Sequence, residues 1–158
     1  MIKLVAVGKI KEKALQSLSD EYIKRLGPDD KLTMVEVDDE IIPQSNSEAE
    51  NEQAKEKEGK RILSKIKDGE YVILLDLHGQ MYDSVQLSKK LDDIRTRHTS
   101  QITFVIGGSL GLSEEVVARA NMRWKLSDLT FTHQMTRLLV LEQIYRCFKI
   151  QRNEPYHK

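Results

Sequence analysis

The last six residues, Asn153-Glu154-Pro155-Tyr156-His157-Lys158, set a phenol, an imidazole and an ammonium side by side behind a proline. A chain end usually frays. This one either does the same or delivers proton-handling and anion-binding groups into a site. Histidine's ordinary pKa of about 6.5 suits proton exchange near neutrality. A second group is the run Gly107-Gly108-Ser109-Leu110-Gly111. Its spacing is not the dinucleotide pattern G-x-G-x-x-G, and no G-K-[ST] follows. Glu114 and Glu115 fall in the first turn of the helix expected next. Carboxylates there occupy the positive end of the helix dipole and repel a phosphate. The glycines suit either a tight strand-to-helix turn or close backbone approach to a flat, uncharged group.

Other chemistries find little support. His78, His98, His133 and His157 are scattered, with no H-E-x-x-H, and no metal is expected. The one cysteine, Cys147, excludes a disulfide framework and reads as a small buried apolar residue. No G-x-S-x-G elbow occurs. Lys plus Arg equals Asp plus Glu at 25 each, so a polycation that coats nucleic acid by bulk charge is excluded. The neutrality is uneven: 17 bases meet 20 acids in residues 1–110, and 8 meet 5 in residues 111–158. The C-terminal third offers either ordinary solvated helix faces or a basic face for an anionic partner. The longest apolar runs, such as 71–75 and 138–141, fall far short of the roughly 20 residues of a membrane span. Residues 1–8 read as a strand rather than a secretory signal. The expectation is one soluble, cytoplasmic domain over residues 1–158, without membrane association.

Strand and helix signals that would position these groups alternate along the chain. Strands are expected at 3–8, 32–37, 71–75 and 102–106; the last two are continuous apolar runs, the mark of burial on both faces. Helices are expected at 12–26, stopped by Gly27-Pro28, and from a Ser47 N-cap to about 67. Others run from Asp83 or Ser84 to about 97, from a Ser113 cap to about 123, and from about 133 to 150. Polar loops are expected at 38–46, which contains Pro43, and at 125–130, with a turn at His78-Gly79. The pattern implies an α/β fold, a parallel sheet with helices on both faces. The last helix is apolar on more than one face, at Met135, Leu138, Leu139, Val140, Leu141, Ile144, Tyr145, Cys147, Phe148 and Ile150. One sheet needs only a stripe a little over 100° wide, so a second covering surface is expected, most simply another subunit.

Six stretches carry a family resemblance: residues 4–11, Tyr22-Ile23-Lys24-Arg25-Leu26, Lys57-Glu58-Gly59, residues 104–111, Phe131-Thr132-His133-Gln134-Met135 and Glu154-Pro155-Tyr156-His157-Lys158. In order and over the whole chain, they resemble the small SPOUT-class methyltransferases of the RlmH group. That resemblance implies transfer of a methyl group from S-adenosylmethionine to N3 of a pseudouridine in large-subunit ribosomal RNA, on the assembled ribosome. It also implies a homodimer and a C-terminal trefoil knot, which pattern alone would never suggest because un-knotted chains are the default. The family's cofactor contacts carry onto Leu75, Gly107, Leu126, Ser127, Asp128, Leu129, Thr130 and Phe131. S-adenosylmethionine has no phosphate, so Glu114 and Glu115 are no obstacle. His157 becomes the group that assists deprotonation of N3. Tyr156 would stack on or hydrogen-bond the base, and Arg146 would hold a phosphate or the developing imide anion. In a dimer, the tail of one subunit would complete the pocket of the other. Two rivals stand beside this reading, a non-catalytic RNA-binding module and a nicotinamide oxidoreductase.

Overall fold

A computed structural model describes residues 1–27, 30–42 and 47–158. Five parallel strands lie in the order β2-β1-β4-β3-β5. They are β1 (Ile2–Val7), β2 (Leu32–Val37), β3 (Tyr71–Gln80), β4 (Ile102–Ile106) and β5 (Met122–Trp124). The helices are α1 (Lys13–Leu26), α2 (Glu48–Leu63), α3 (Ser84–Arg97), α4 (Glu114–Arg119) and α5 (His133–Gln151).

The two-residue period of the central strands sorts the core into two layers. Ile2, Leu4, Ala6, Ile73, Ile102, Phe104 and Ile106 face one side, where α1, α3 and α5 cover them with Leu26, Leu91, Ile94, Val140, Leu141 and Phe148. Val5, Val7, Val72, Leu74 and Val105 face the other, under Ile62 of α2 and Val116 of α4. Helices on both faces explain why residues 71–75 of β3 and 102–106 of β4 read as continuous apolar runs. Because every strand points the same way, the carboxyl ends of β1, β3, β4 and β5 share one edge of the sheet.

Caps form where the sequence placed them. Ser47, Asp83 and Ser113 each accept a backbone N–H three residues on, and Asp83 with Gln86 completes a capping box. Gly27, at φ 60°, closes α1. Pro28 and Pro43 lie outside the described residues.

Three boundaries differ from expectation. The helix from Ser113 ends at Arg119, and Met122–Trp124 forms β5. Asn121 makes the switch: its Oδ1 accepts from the Val72 N–H at 2.8 Å and its own N–H reaches the Val72 carbonyl at 2.9 Å. Sheet pairing there overrides a helical pattern. Helix α2 stops at Leu63 rather than about 67, with Ser64 Oγ donating to the Arg61 carbonyl. The turn expected at His78-Gly79 is instead an irregularity within β3, where both Leu75 and Gln80 register on Trp124.

Helix α5 accounts for its wide apolar surface largely within the chain. Leu138, Val140, Leu141, Ile144, Cys147 and Phe148 are buried, in a helix that packs on α1, α3 and the sheet. The excess that suggested a second subunit is therefore met mostly by two neighbouring helices. Buried Arg137 locks α5 to the strand ends. Its guanidinium donates to Glu36 Oε2 at 2.6 Å and to the carbonyls of Val7 and Gly8 at 3.1 and 2.6 Å.

Gly79 makes the β3–β5 closure possible. A Cβ there would stand 2.5–2.8 Å from the backbone of Arg123 and Trp124. Backbone cannot yield as a side-chain tip does, so Gly79→Ala should destabilise the fold by about 1–3 kcal/mol. A thermal melt several degrees below wild type is the expected outcome; an unchanged melt would mean that the closure has slack.

Candidate active site

A cavity of about 550 Å³ opens outside the carboxyl ends of β3, β4 and β5. This is where open α/β sheets hold their ligands, and its size suits a small molecule. Leu75, Gly107, Leu126, Ser127, Leu129, Thr130 and Phe131 line it. Asp128 does not; its exposed carboxylate pairs with Lys125 at 2.5 Å. Seven of the eight expected cofactor residues thus meet at one hollow.

The Gly-rich loop is both turn and wall. Gly111 (φ 91°) donates its N–H to the Gly108 carbonyl at 3.1 Å, closing a tight turn. At Gly107 a Cβ would meet Leu112 at 2.8 Å, so glycine keeps that wall thin. Beneath Gly108 lies the buried carboxyl of Glu58. Its Oε2 accepts the Glu40 N–H at 2.9 Å, and its Oε1 has no partner among the described residues. Glu114 and Glu115 sit exposed in the first turn of α4 and do not line the cavity.

The three candidate catalytic groups come together on α5. Asn153, at φ 56°, turns the chain back, and the Glu154 N–H bonds the Lys149 carbonyl at 3.0 Å. The tail is therefore tied down rather than frayed. The Tyr156 hydroxyl donates to Glu142 Oε1 at 3.1 Å and lies 3.2 Å from the Tyr22 hydroxyl. Its ring stands edge-on to Tyr145 and beneath the Arg146 guanidinium, 4.7 Å away. Burial, followed by the bonds to Tyr22 and Glu142, raises this phenol well above its ordinary range, so it stays neutral. Arg146 bonds Glu142 and reaches His157 Nδ1 at 3.1 Å. A guanidinium only donates, so Nδ1 accepts and the neutral imidazole carries its proton on Nε2.

His157 lines a second cavity of about 570 Å³, together with Tyr82, Val85, Leu139 and Gln143. Trp124, Leu126, Ser127 and Phe131 border both hollows. The tail thus reaches the neighbouring cavity and is not a wall of the first. Trp124 is buried, and its Nε1–H has no partner among the described residues. Sequence reasoning missed Asp76, His78, Arg123 and His133 as lining residues. Asp76 directly follows a predicted contact, which was the available signal. Cys147 is buried, and burial pushes its thiol up to about 12, consistent with an inert packing residue. Among the described residues no cluster of His, Cys, Asp and Glu could hold a metal ion, and no helix is long and apolar enough to cross a membrane.

A parallel sheet with a ligand-sized hollow at its carboxyl edge is the architecture of the ligand-binding α/β proteins. The family described as "Predicted SPOUT methyltransferase" matches residues 1–157, and the chain belongs to that family. Among its relatives, the protein named ribosomal RNA large subunit methyltransferase H of Clostridium acetobutylicum is 51% identical over 157 residues, 99% of each chain. The proteins of that name from Listeria monocytogenes and Enterococcus faecalis are 52% and 50% identical over the same share. A solved structure, a probable methylase family protein from Haemophilus influenzae Rd KW20, shares the fold at a TM-score of 0.53 and 14% identity. That likeness covers 96% of this chain and 66% of the other.

Glu58 titrates differently once folded. Burial raises its carboxyl above the ordinary 4.5, outweighing the Glu40 N–H that opposes it. The folded state then holds this proton more tightly than the unfolded one. Its contribution to stability is full below about 4.5 and falls as pH rises through the folded value. Glu58→Gln keeps an acceptor for Glu40 and removes that loss. Melts from about pH 4 to 8 should show the variant gaining on wild type as pH rises; parallel curves would mean Glu58 titrates alike in both states.

Proposed function

We propose that this chain transfers the methyl group of S-adenosylmethionine to N3 of a pseudouridine in large-subunit ribosomal RNA, on the assembled ribosome in the cytoplasm. The observation that carries the reading is the convergence of seven family-derived cofactor positions on one cavity, in a chain about half identical to full-length relatives named for that activity. The residues present fit the cofactor. The walls at Leu75, Gly107, Leu126, Ser127 and residues 129–131 offer apolar side chains and backbone groups, which suit adenine. Glu114 and Glu115, which disfavour a nicotinamide dinucleotide, do not oppose a ligand without phosphate.

S-adenosylmethionine, when bound, supplies an electrophilic methyl carbon on a sulfonium, whose C–S bond breaks with its electron pair going to sulfur as the N3–C bond forms. The chain's work is positioning and handling the N3 proton. His157 receives that proton at Nδ1, which requires Arg146 to release it. Arg146 then turns to the imide anion or a flanking phosphate, so that arrival of the base frees the imidazole. Tyr156, neutral and held by Glu142, stacks on or hydrogen-bonds the base.

A homodimer completes the reading. Leu77 and Leu129, 67% and 70% exposed, flank the first cavity, and Val85 the second. Monomers seldom leave so much apolar surface together. A second subunit over this surface would bring its own tail toward the first cavity. The knot that the family resemblance implies belongs to the same proposal. Light scattering should give about 36 kDa, twice the 18.2 kDa chain; an 18 kDa species at micromolar concentration would overturn the shared site.

Labelled-methyl transfer should occur on whole ribosomes in preference to large subunits or naked RNA. S-adenosylmethionine should perturb the fluorescence of Trp124, which borders both cavities, and raise the melting temperature by mass action. No thermal shift and no binding heat at millimolar ligand would sink the methyltransferase reading.

Deleting residues 156–158 should leave cofactor affinity nearly unchanged. It should lower stability modestly, because Tyr156 packs on Tyr22 and Tyr145. Transfer should fall about 10²–10⁴-fold, the usual loss on removing a positioned proton acceptor. His157→Ala should reproduce much of that loss and recover partly at higher pH, where the N3 proton leaves more readily to solvent. An unaltered pH profile with activity lost would keep the tail as an RNA contact and remove His157 from proton transfer.

A further inference from the structure

Two charged residues outside the expected cofactor positions stand in the wall of the first cavity. Asp76 follows Leu75 on β3, and Arg123 lies on the adjacent strand β5, where it registers with Leu74. The Asp76 side chain is 8% exposed and Arg123 is 41% exposed. Arg123 Nε donates to Asp76 Oδ2 at 2.5 Å, and the His78 N–H donates to Asp76 Oδ1 at 2.9 Å. Burial opposes ionisation of Asp76, but the His78 N–H and the Arg123 guanidinium outweigh it and hold the carboxyl below its ordinary range. It is a fixed negative charge.

Neither group is used up. A carboxylate offers about four acceptor sites and a guanidinium five donors. Among the described residues, Asp76 accepts two bonds and Arg123 gives one. Lys55, another lining cation, is already engaged by Glu52 at 2.8 Å. The wall therefore presents one anion and one cation side by side, held by adjacent strands and jointly neutral. A ligand group that matches it is likewise a neutral pair, an ammonium next to a carboxylate.

We propose that Asp76 and Arg123 read the amino-acid end of S-adenosylmethionine, Asp76 accepting from its α-ammonium and Arg123 donating to its α-carboxylate. The inference rests on the methyltransferase reading above. It gives the two residues a binding role separate from the adenine-facing loop at residues 126–131. The same pair would hold S-adenosylhomocysteine after transfer, because that product keeps the amino-acid end and loses only the sulfonium charge.

Calorimetric titration of wild type, Asp76→Asn and Arg123→Gln tests it with three ligands. S-adenosylmethionine and S-adenosylhomocysteine both carry the zwitterion; methylthioadenosine carries the nucleoside without it. Each variant should lose about 10–100-fold in affinity for the first two and less than about 2-fold for the third, the scale of one charged hydrogen bond. Arg123→Lys, which keeps the charge, should recover part of the loss. Equal loss for all three ligands would mean that the pair only shapes the adenine pocket, and would overturn the proposal. Loss confined to S-adenosylmethionine would place Asp76 at the sulfonium and overturn it too. Arg123→Gln keeps a donor toward Asp76 and should stay folded with a lowered melt, so it decides the matter if Asp76→Asn does not fold. Wild type binding none of the ligands would fail the methyltransferase reading itself; wild type binding with both variants unaffected would fail this inference alone.

Discussion

The close approach of Gly79 to the Arg123–Trp124 backbone is the constraint on which the site depends. Leu75 and Gln80 both register on Trp124, so the residues between them leave the plain ladder at the carboxyl edge. That departure turns Asp76, Leu77 and His78 to the cavity. It also seats Trp124 as the partition between two hollows. A parallel sheet brings strand ends to one edge by geometry alone, but an edge is not a pocket. Here the pocket exists because one strand yields where its neighbour is pressed hardest, and only a residue without a side chain fits there.

Helix α5 is the second organiser, and its chemistry changes along its length. At its start, Arg137 spends its guanidinium on Glu36 and the carbonyls after β1, while Gln134 Oε1 accepts from the Lys11 N–H at 2.9 Å. The helix is thereby fixed against strand ends that are themselves fixed. Near its end, Glu142 and Arg146 face the returning tail and hold Tyr156 and His157. Between these points it is packing material. A rigid start and a polar end let one element both close the core and present groups to a partner.

The α/β alternation and both buried strands were legible because burial on two faces leaves a run no helix imitates in so few residues. Caps at Ser47, Asp83 and Ser113 were legible because a short polar side chain just before a helical pattern, followed at Ser47 and Ser113 by acidic residues in the first turn, has a local cause. Strand β5 was not. Three residues carry too little period, and its existence rests on Asn121 meeting Val72, a contact 49 positions apart. The irregularity in β3 was hidden for the same reason: His78-Gly79 looks like a turn until Trp124 is beside it. Of the site, the glycines and the tail were visible as residue types. Their division between two cavities, and the pairing of Asp76 with Arg123, depend on tertiary contacts that spacing does not encode. The width of α5 is only partly explained by one sheet because an amphipathic count assumes one neighbour, and this helix has two besides the sheet.

Charge placement follows one rule across the site. Glu114 and Glu115 sit exposed in the first turn of α4, outside the lining of the cavity. Beneath the Gly-rich loop, the buried carboxyl of Glu58 makes no ion pair among the described residues, and burial outweighs the nearby Arg61 and favours its neutral form. The ionised Asp76 is kept beside Arg123. A ligand entering this cavity therefore meets no uncompensated charge on the wall. A phosphate entering here would find only the spare donors of Arg123, which already serves Asp76. A cationic, phosphate-free cofactor suffers less, since its one surplus charge sits on a sulfonium that becomes neutral on transfer. The neutrality of the cavity then leaves the product with no electrostatic hold that the substrate lacked.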